Sequence, residues 1–132
     1  MIRLFWPNAS LAVLTLMFIC GCGRTVPIAN MLGPEDAATY LTQVLDVWKN
    51  GQPSNSMMQL VPPVLVRDLD WEAGHKLIGY SVKGAPERYG HSIRINVELT
   101  VSTASNVQRK QIVRYSVSTG EMTVVMRDDT VD

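Results

Sequence analysis

From Ile93 to Val101 every second residue is apolar: Ile93, Ile95, Val97, Leu99 and Val101 alternate with Arg94, Asn96, Glu98 and Thr100. A period of two places one set of side chains on a buried face and the other in water, the pattern of an antiparallel strand. The same period predicts strands over 75–83, 91–102, 107–119 and 121–128, with Val113, Tyr115 and Val117 pointing inward. Gly and Pro punctuate "GAPERYG" (84–90), while "TASN" (103–106) and Gly120 supply the remaining turns. Upstream the period changes to three or four. Ala37 or Ala38, Leu41, Val44 or Leu45, and Trp48 form one apolar stripe, which predicts a helix over about 35–50. Pro34 suits its first turn, Glu35 and Asp36 its positive dipole end, Lys49 its last turn and Gly51 its left-handed cap. Between helix and sheet, Pro53 to Ser56 start a short helical segment through Met57, Met58 and Leu60, stopped by Pro62 and Pro63. "VLVRDLDW" (64–71) then begins as extended chain and ends near Gly74.

One helix followed by a meander of about four strands is an α+β class, with the N-terminal helix packed across the apolar face of a curved antiparallel sheet. This outline, over roughly residues 35–128, resembles the NTF2-like and cystatin-like folds, in which a curved sheet wraps a helix. The resemblance rests on element order. Full NTF2-like domains usually carry three helices before the sheet, and this chain has room for one and a half.

The first residues have another character. Met1-Ile2-Arg3 is a charged start, Leu11 to Ile19 is apolar apart from Thr15, and small residues surround both cysteines, Cys20 and Cys22. That is the layout of a secretory signal peptide. The stretch from Leu4 to Ile19 includes Pro7, Asn8 and Ser10, and is shorter than the roughly 20 apolar residues a spanning helix needs. No second Cys/His pair at zinc-ligand spacing exists to complete a zinc site. One intervening residue would make a strained disulfide ring, and a redox pair normally has two.

The segment Ile19-Cys20-Gly21-Cys22 resembles the lipobox of bacterial lipoproteins: an aliphatic residue, two small ones, then the cysteine that receives the lipid. The resemblance implies cleavage before Cys22 and a diacylglyceryl group on its sulfur. Residues 1–21 are then the leader, 22–33 a lipidated tether, and 34–132 a single α+β domain. Two or three acyl chains hold a protein firmly on a membrane where one holds it marginally. Gly23 at the next position, rather than Asp, implies permission to travel to the outer membrane if the producer has two membranes. The chain also resembles small bacterial lipoproteins with a "DxDW" segment ahead of a sheet (here Asp68-Leu69-Asp70-Trp71), a likeness that brings no activity with it.

Charge narrows the partners. Arg3 is the only charged residue of the leader, so the remaining chain is close to neutral, without the basic surplus of a nucleic-acid binder. Asp68, Asp70 and Glu72 share one side if the segment is extended. Hard cations take such oxygens, although the simpler reading is a solvated acidic edge beside Arg67 and Lys76. His75 and His91 open successive predicted strands, which places them at opposite ends of an antiparallel pair. No nucleophile elbow or phosphate-cradling loop is present in the sequence, and no catalytic residue, metal or cofactor is assigned. Trp48, Trp71, Tyr80 and Tyr115 either fill the core or line a small apolar pocket between helix and sheet. Met57, Met58, Met122 and Met126 read as core or sheet-face fillers.

The leading expectation is a non-enzymatic domain, lipid-anchored at the cell membrane or outer membrane, that binds a protein or small molecule. The alternatives are an NTF2-like enzyme using Asp70 or His91 at a pocket mouth, and a structural lipoprotein pairing through an edge strand at 64–70 or 121–128.

Overall fold

A computed structural model describes residues 32–128. The leader, Cys22 and the tether up to residue 31 lie outside the described residues, as does the tail after Asp128. The helix α1 spans Pro34–Lys49 and is followed by a 3-10 turn, Ser54–Gln59, and a short strand β1, Val64–Arg67. A one-turn helix α2, Leu69–Glu72, leads into the strands β2 (Lys76–Tyr89), β3 (Ser92–Ser102), β4 (Gln108–Thr119) and β5 (Thr123–Asp128). The protein is α+β, with one long helix on an open five-stranded mixed sheet of order β1-β5-β4-β3-β2.

The alternation works as expected in β3, where Ile93, Ile95, Val97, Leu99 and Val101 are buried to 1% exposure or less. They share the inner face with Val113, Tyr115 and Val117 of β4, because residues opposite each other in an antiparallel pair project to the same side. Onto this face α1 lays Ala37, Leu41, Val44, Leu45 and Trp48, all buried. Pro34 opens the helix and Gly51 (φ +79°) follows it, where a left-handed residue favours glycine. Met57 joins the core from the 3-10 turn, whereas Met58 and Met126 are exposed.

Three expectations are corrected. The sheet has five strands rather than four, because Val64–Arg67 pairs in parallel with β5, Val64 against Thr123 and Arg67 against Met126. A parallel partner some sixty residues away leaves no local trace in the sequence, unlike a hairpin. The turn expected over 84–90 is confined to Gly90 and His91, and residues 84–89 are strand. The strand β2 runs on to Tyr89 and pairs Glu87, Arg88 and Tyr89 with Arg94, Ile93 and Ser92, absorbing Gly84, Ala85 and Pro86 in an irregularity between Lys83 and Glu87. Pro86 is tolerated because β2 is an edge strand, where a missing N–H costs no ladder bond. Finally, the segment 121–128 is not an edge: β5 lies between β1 and β4, and the edges are β1 and β2. The long edge β2 carries Lys83, Pro86 and a register irregularity, devices that discourage strand addition.

The sheet therefore has two distinct ends. At one lie the start of α1, the entry to β1, and the β4–β5 turn, where Thr119 pairs with Thr123. At the other lie the β3–β4 turn, the start of β2 and α2.

Candidate functional site

The α2 end holds the chemistry. Asp68 has extended backbone (φ −144°, ψ 121°), and its Oδ1 accepts the backbone N–H of Asp70 at 2.9 Å and of Trp71 at 3.1 Å. This is a side-chain N-cap, and it turns what reads as extended chain into one helical turn. The consequence for the acidic trio is direct. At about 100° per residue, positions two apart on a helix face opposite sides. Asp70 goes inward at 7% exposure, and Glu72 goes outward to meet Arg67 at 2.8 Å. Asp68, at 2% exposure, is likewise no part of a solvated edge.

Asp70 is the hub. Its Oδ1 accepts from Arg109 Nη2 at 2.7 Å and from His75 Nδ1 at 2.9 Å. Its Oδ2 accepts from Gln111 Nε2 at 2.6 Å and Arg127 Nη1 at 2.5 Å. Burial alone would raise the carboxyl, but the hydrogen bonds from Arg127, Gln111 and His75 outweigh it and hold Asp70 at about 2. An ionised carboxylate only accepts, so the Nδ1 of His75 carries the proton. Arg127 Nη1 also stands 3.6 Å from Asp68 Oδ1, so one guanidinium serves two carboxylates. Burial opposes the charge of Arg127, yet the Asp70 hydrogen bond and the charges of Asp68 and Asp70 raise its pKa. Asp68 Oδ2 accepts from the buried Tyr115 hydroxyl at 2.5 Å. Burial, together with the Asp68 charge, pushes that phenol far up.

The two tryptophans close the cluster. Their rings stack with centroids 5.4 Å apart and planes 8° from parallel. Trp48 Nε1 donates to the His75 carbonyl at 2.9 Å, and Trp71 Nε1 to the Gln52 carbonyl at 2.9 Å. The pair thus ties the end of α1 to α2 and to the start of β2. Beside it opens a cleft of about 480 Å³, lined among others by Trp48, Lys49, Trp71, His75, Lys76 and Ile78. No Asp or Glu lines it. A neutral or anionic small molecule suits such a wall better than a cation does.

The aromatic candidates divide. Trp48 and Trp71 meet at this cleft. Tyr80 instead donates to Asp46 Oδ1 at 2.7 Å, and burial together with that carboxylate pushes its phenol up to about 12. Tyr115 is sealed in the core at 1% exposure, beneath Asp68. His75 precedes β2 and His91 follows it, so the histidines sit at opposite ends of that strand. Among the described residues no group of three or more His, Cys, Asp or Glu is arranged to hold a metal ion.

Sequence reasoning missed Arg109, Gln111 and Arg127. The signal was there: Arg109 and Gln111 continue the inward set Val113, Tyr115 and Val117, and Arg127 continues Thr123 and Val125. Polar residues in inward register announce a buried partner, here the carboxylates of α2. Comparison with family models, with curated proteins and with solved structures finds no match for this chain.

Proposed function

We propose that this is a lipid-anchored protein of the cell envelope whose domain, residues 34–132, binds a protein or small-molecule partner without chemical conversion. The observation that carries the reading is the sequence Ile19-Cys20-Gly21-Cys22 at the end of a charged-then-apolar leader. Lipidation of Cys22 would hold the protein at a membrane, and among the described residues no helix is long and apolar enough to cross one. The α2 end favours binding over catalysis in this reading: every carboxylate oxygen of Asp68 and Asp70 already accepts hydrogen bonds from the protein, which leaves neither poised as a base. The cleft beside Trp48 and Trp71 is the candidate ligand surface. We further read the layout, a helix laid across the inner face of an antiparallel run of strands, as NTF2-like or cystatin-like, with β1 as an added parallel edge.

Fractionation tests the reading. Cells expressing the chain and fed a labelled fatty acid should yield labelled protein in the membrane fraction. Cys22→Ser should abolish the label and leave the leader attached. Equal labelling of both chains would overturn the proposal.

A further inference from the structure

The end of the sheet opposite the Trp48–Trp71 cleft carries a different surface. Between Lys49 and Arg67 the chain has no charged residue at all. Within this stretch Met57 is buried and pins the 3-10 turn to the core. The residues after it are turned out to water: Met58 is 42% exposed, Leu60 48% and Val61 98%. Leu69, Val107 and Ile112 are exposed as well, but each has a charged residue within two positions; here three exposed apolar side chains fall within four residues of an uncharged loop, the composition of a contact surface.

Its position says what it meets. Leu60, Val61 and Pro62 line one cleft, of about 540 Å³, together with Leu32, the first described residue. The chain from Cys22 thus enters the domain beside this loop, and Arg88 fixes the entry by donating to the Leu32 carbonyl at 2.8 Å. Ten residue steps separate Cys22 from Leu32, which limits their span to about 35 Å. A lipid on Cys22 would keep the loop within that reach of the bilayer surface. Asp36 is the one charged residue lining the cleft, so nothing there favours a strongly charged partner.

We propose that the tip formed by Met58, Leu60 and Val61 docks into the interfacial region of the lipid bilayer, setting the anchored domain with α2 and the Trp48–Trp71 cleft facing away from the membrane. The proposal rests on the Cys22 anchor proposed above. Apolar side chains of this kind insert at the headgroup–acyl boundary, and their contribution scales with apolar area rather than charge. Docking therefore survives added salt, which screens only charge contacts.

The test uses the full lipidated chain in phosphatidylcholine vesicles, with a nitroxide attached through Val61→Cys. Ala104→Cys, in the exposed β3–β4 turn at the other end of the sheet, is the reference. Both positions are exposed, so neither substitution disturbs the core. Oxygen partitions into the bilayer and a nickel chelate into water, so for a tip seated at the headgroup–acyl boundary the ratio of their relaxation effects should be several-fold higher at 61 than at 104, in low and high salt alike. Strong relaxation by nickel at 61 would place the tip in water and overturn the docking. Weak relaxation by both reagents would mean that protein covers the tip, and would overturn it equally. Mass spectrometry of Cys22 on the same sample separates the two proposals. If the lipid is present, a wet tip refutes docking alone; if the lipid is missing, both fall.

Discussion

Asp70→Asn removes one charge and almost no volume from the centre of the α2 cluster. Whichever way the amide settles, two donors lose their acceptor: His75 and Arg109 if the NH₂ replaces Oδ1, or Gln111 and Arg127 if it replaces Oδ2. Two routes give the size of the loss. Asp70 is held at about 2 against its ordinary 3.8; at about 1.4 kcal/mol per pH unit, the fold prefers the ionised side chain by about 2.5 kcal/mol. Removing one partner of a buried ion pair costs about 3–5 kcal/mol, but Arg109 is half-exposed and its share is discounted. The expected destabilisation at pH 7 is about 3 kcal/mol. Urea unfolding followed by near-ultraviolet circular dichroism, to which the stacked Trp48 and Trp71 contribute, measures it.

The pH dependence of that difference has a definite sign. The folded-state pKa of Asp70 is depressed, so its stabilisation is fully present above 3.8 and is lost as pH falls through about 2. The gap between the parent chain and Asp70→Asn should narrow mainly between pH 4 and pH 2, and at pH 3 about half of the 2.5 kcal/mol should remain. A variant within 0.5 kcal/mol of the parent at pH 7 (roughly the scatter of a neutral surface change), or a gap that does not move with pH, would show that the Asp70 carboxylate does not hold the cluster together.

Other outcomes follow from the same geometry. Tyr115→Phe leaves a buried Asp68 oxygen without its hydroxyl donor and should cost about 1–3 kcal/mol, read from the denaturation midpoint. Asp70→Asn combined with Arg127→Gln should cost less than the sum of the single changes by about 0.5–3 kcal/mol, because the two side chains are in contact. Glu72→Ala breaks only the exposed pair with Arg67 and should cost less than about 1 kcal/mol. Leu41→Ala empties a position at 0% exposure under α1 and should cost about 2–5 kcal/mol.

How far the sequence led can be judged at particular residues. The helix expected over 35–50 is Pro34–Lys49, because a strong 3.6 period and a proline start act locally. Alternation in β3 predicted which side chains are buried for the same reason. The acidic trio misled because the segment reads as extended chain. A single capping contact at Asp68 converts it to a helical turn and separates Asp70 from Glu72. "GAPERYG" misled because glycine and proline mark turns in a central strand but are tolerated on an edge, and edge status depends on the whole sheet order. The pairing of β1 with β5 and the convergence of Arg109, Gln111 and Arg127 on Asp70 join residues that are remote in sequence. Only the inward register of those three polar residues hinted at them.

The proposed anchor at Cys22 is tested by the intact mass and N-terminal peptide of the protein purified from its native membrane. Lipid anchoring requires a chain that begins at Cys22 and carries a diacylglyceryl group on its sulfur. A chain that keeps residues 1–21, starts elsewhere, or presents a free thiol at Cys22 contradicts it.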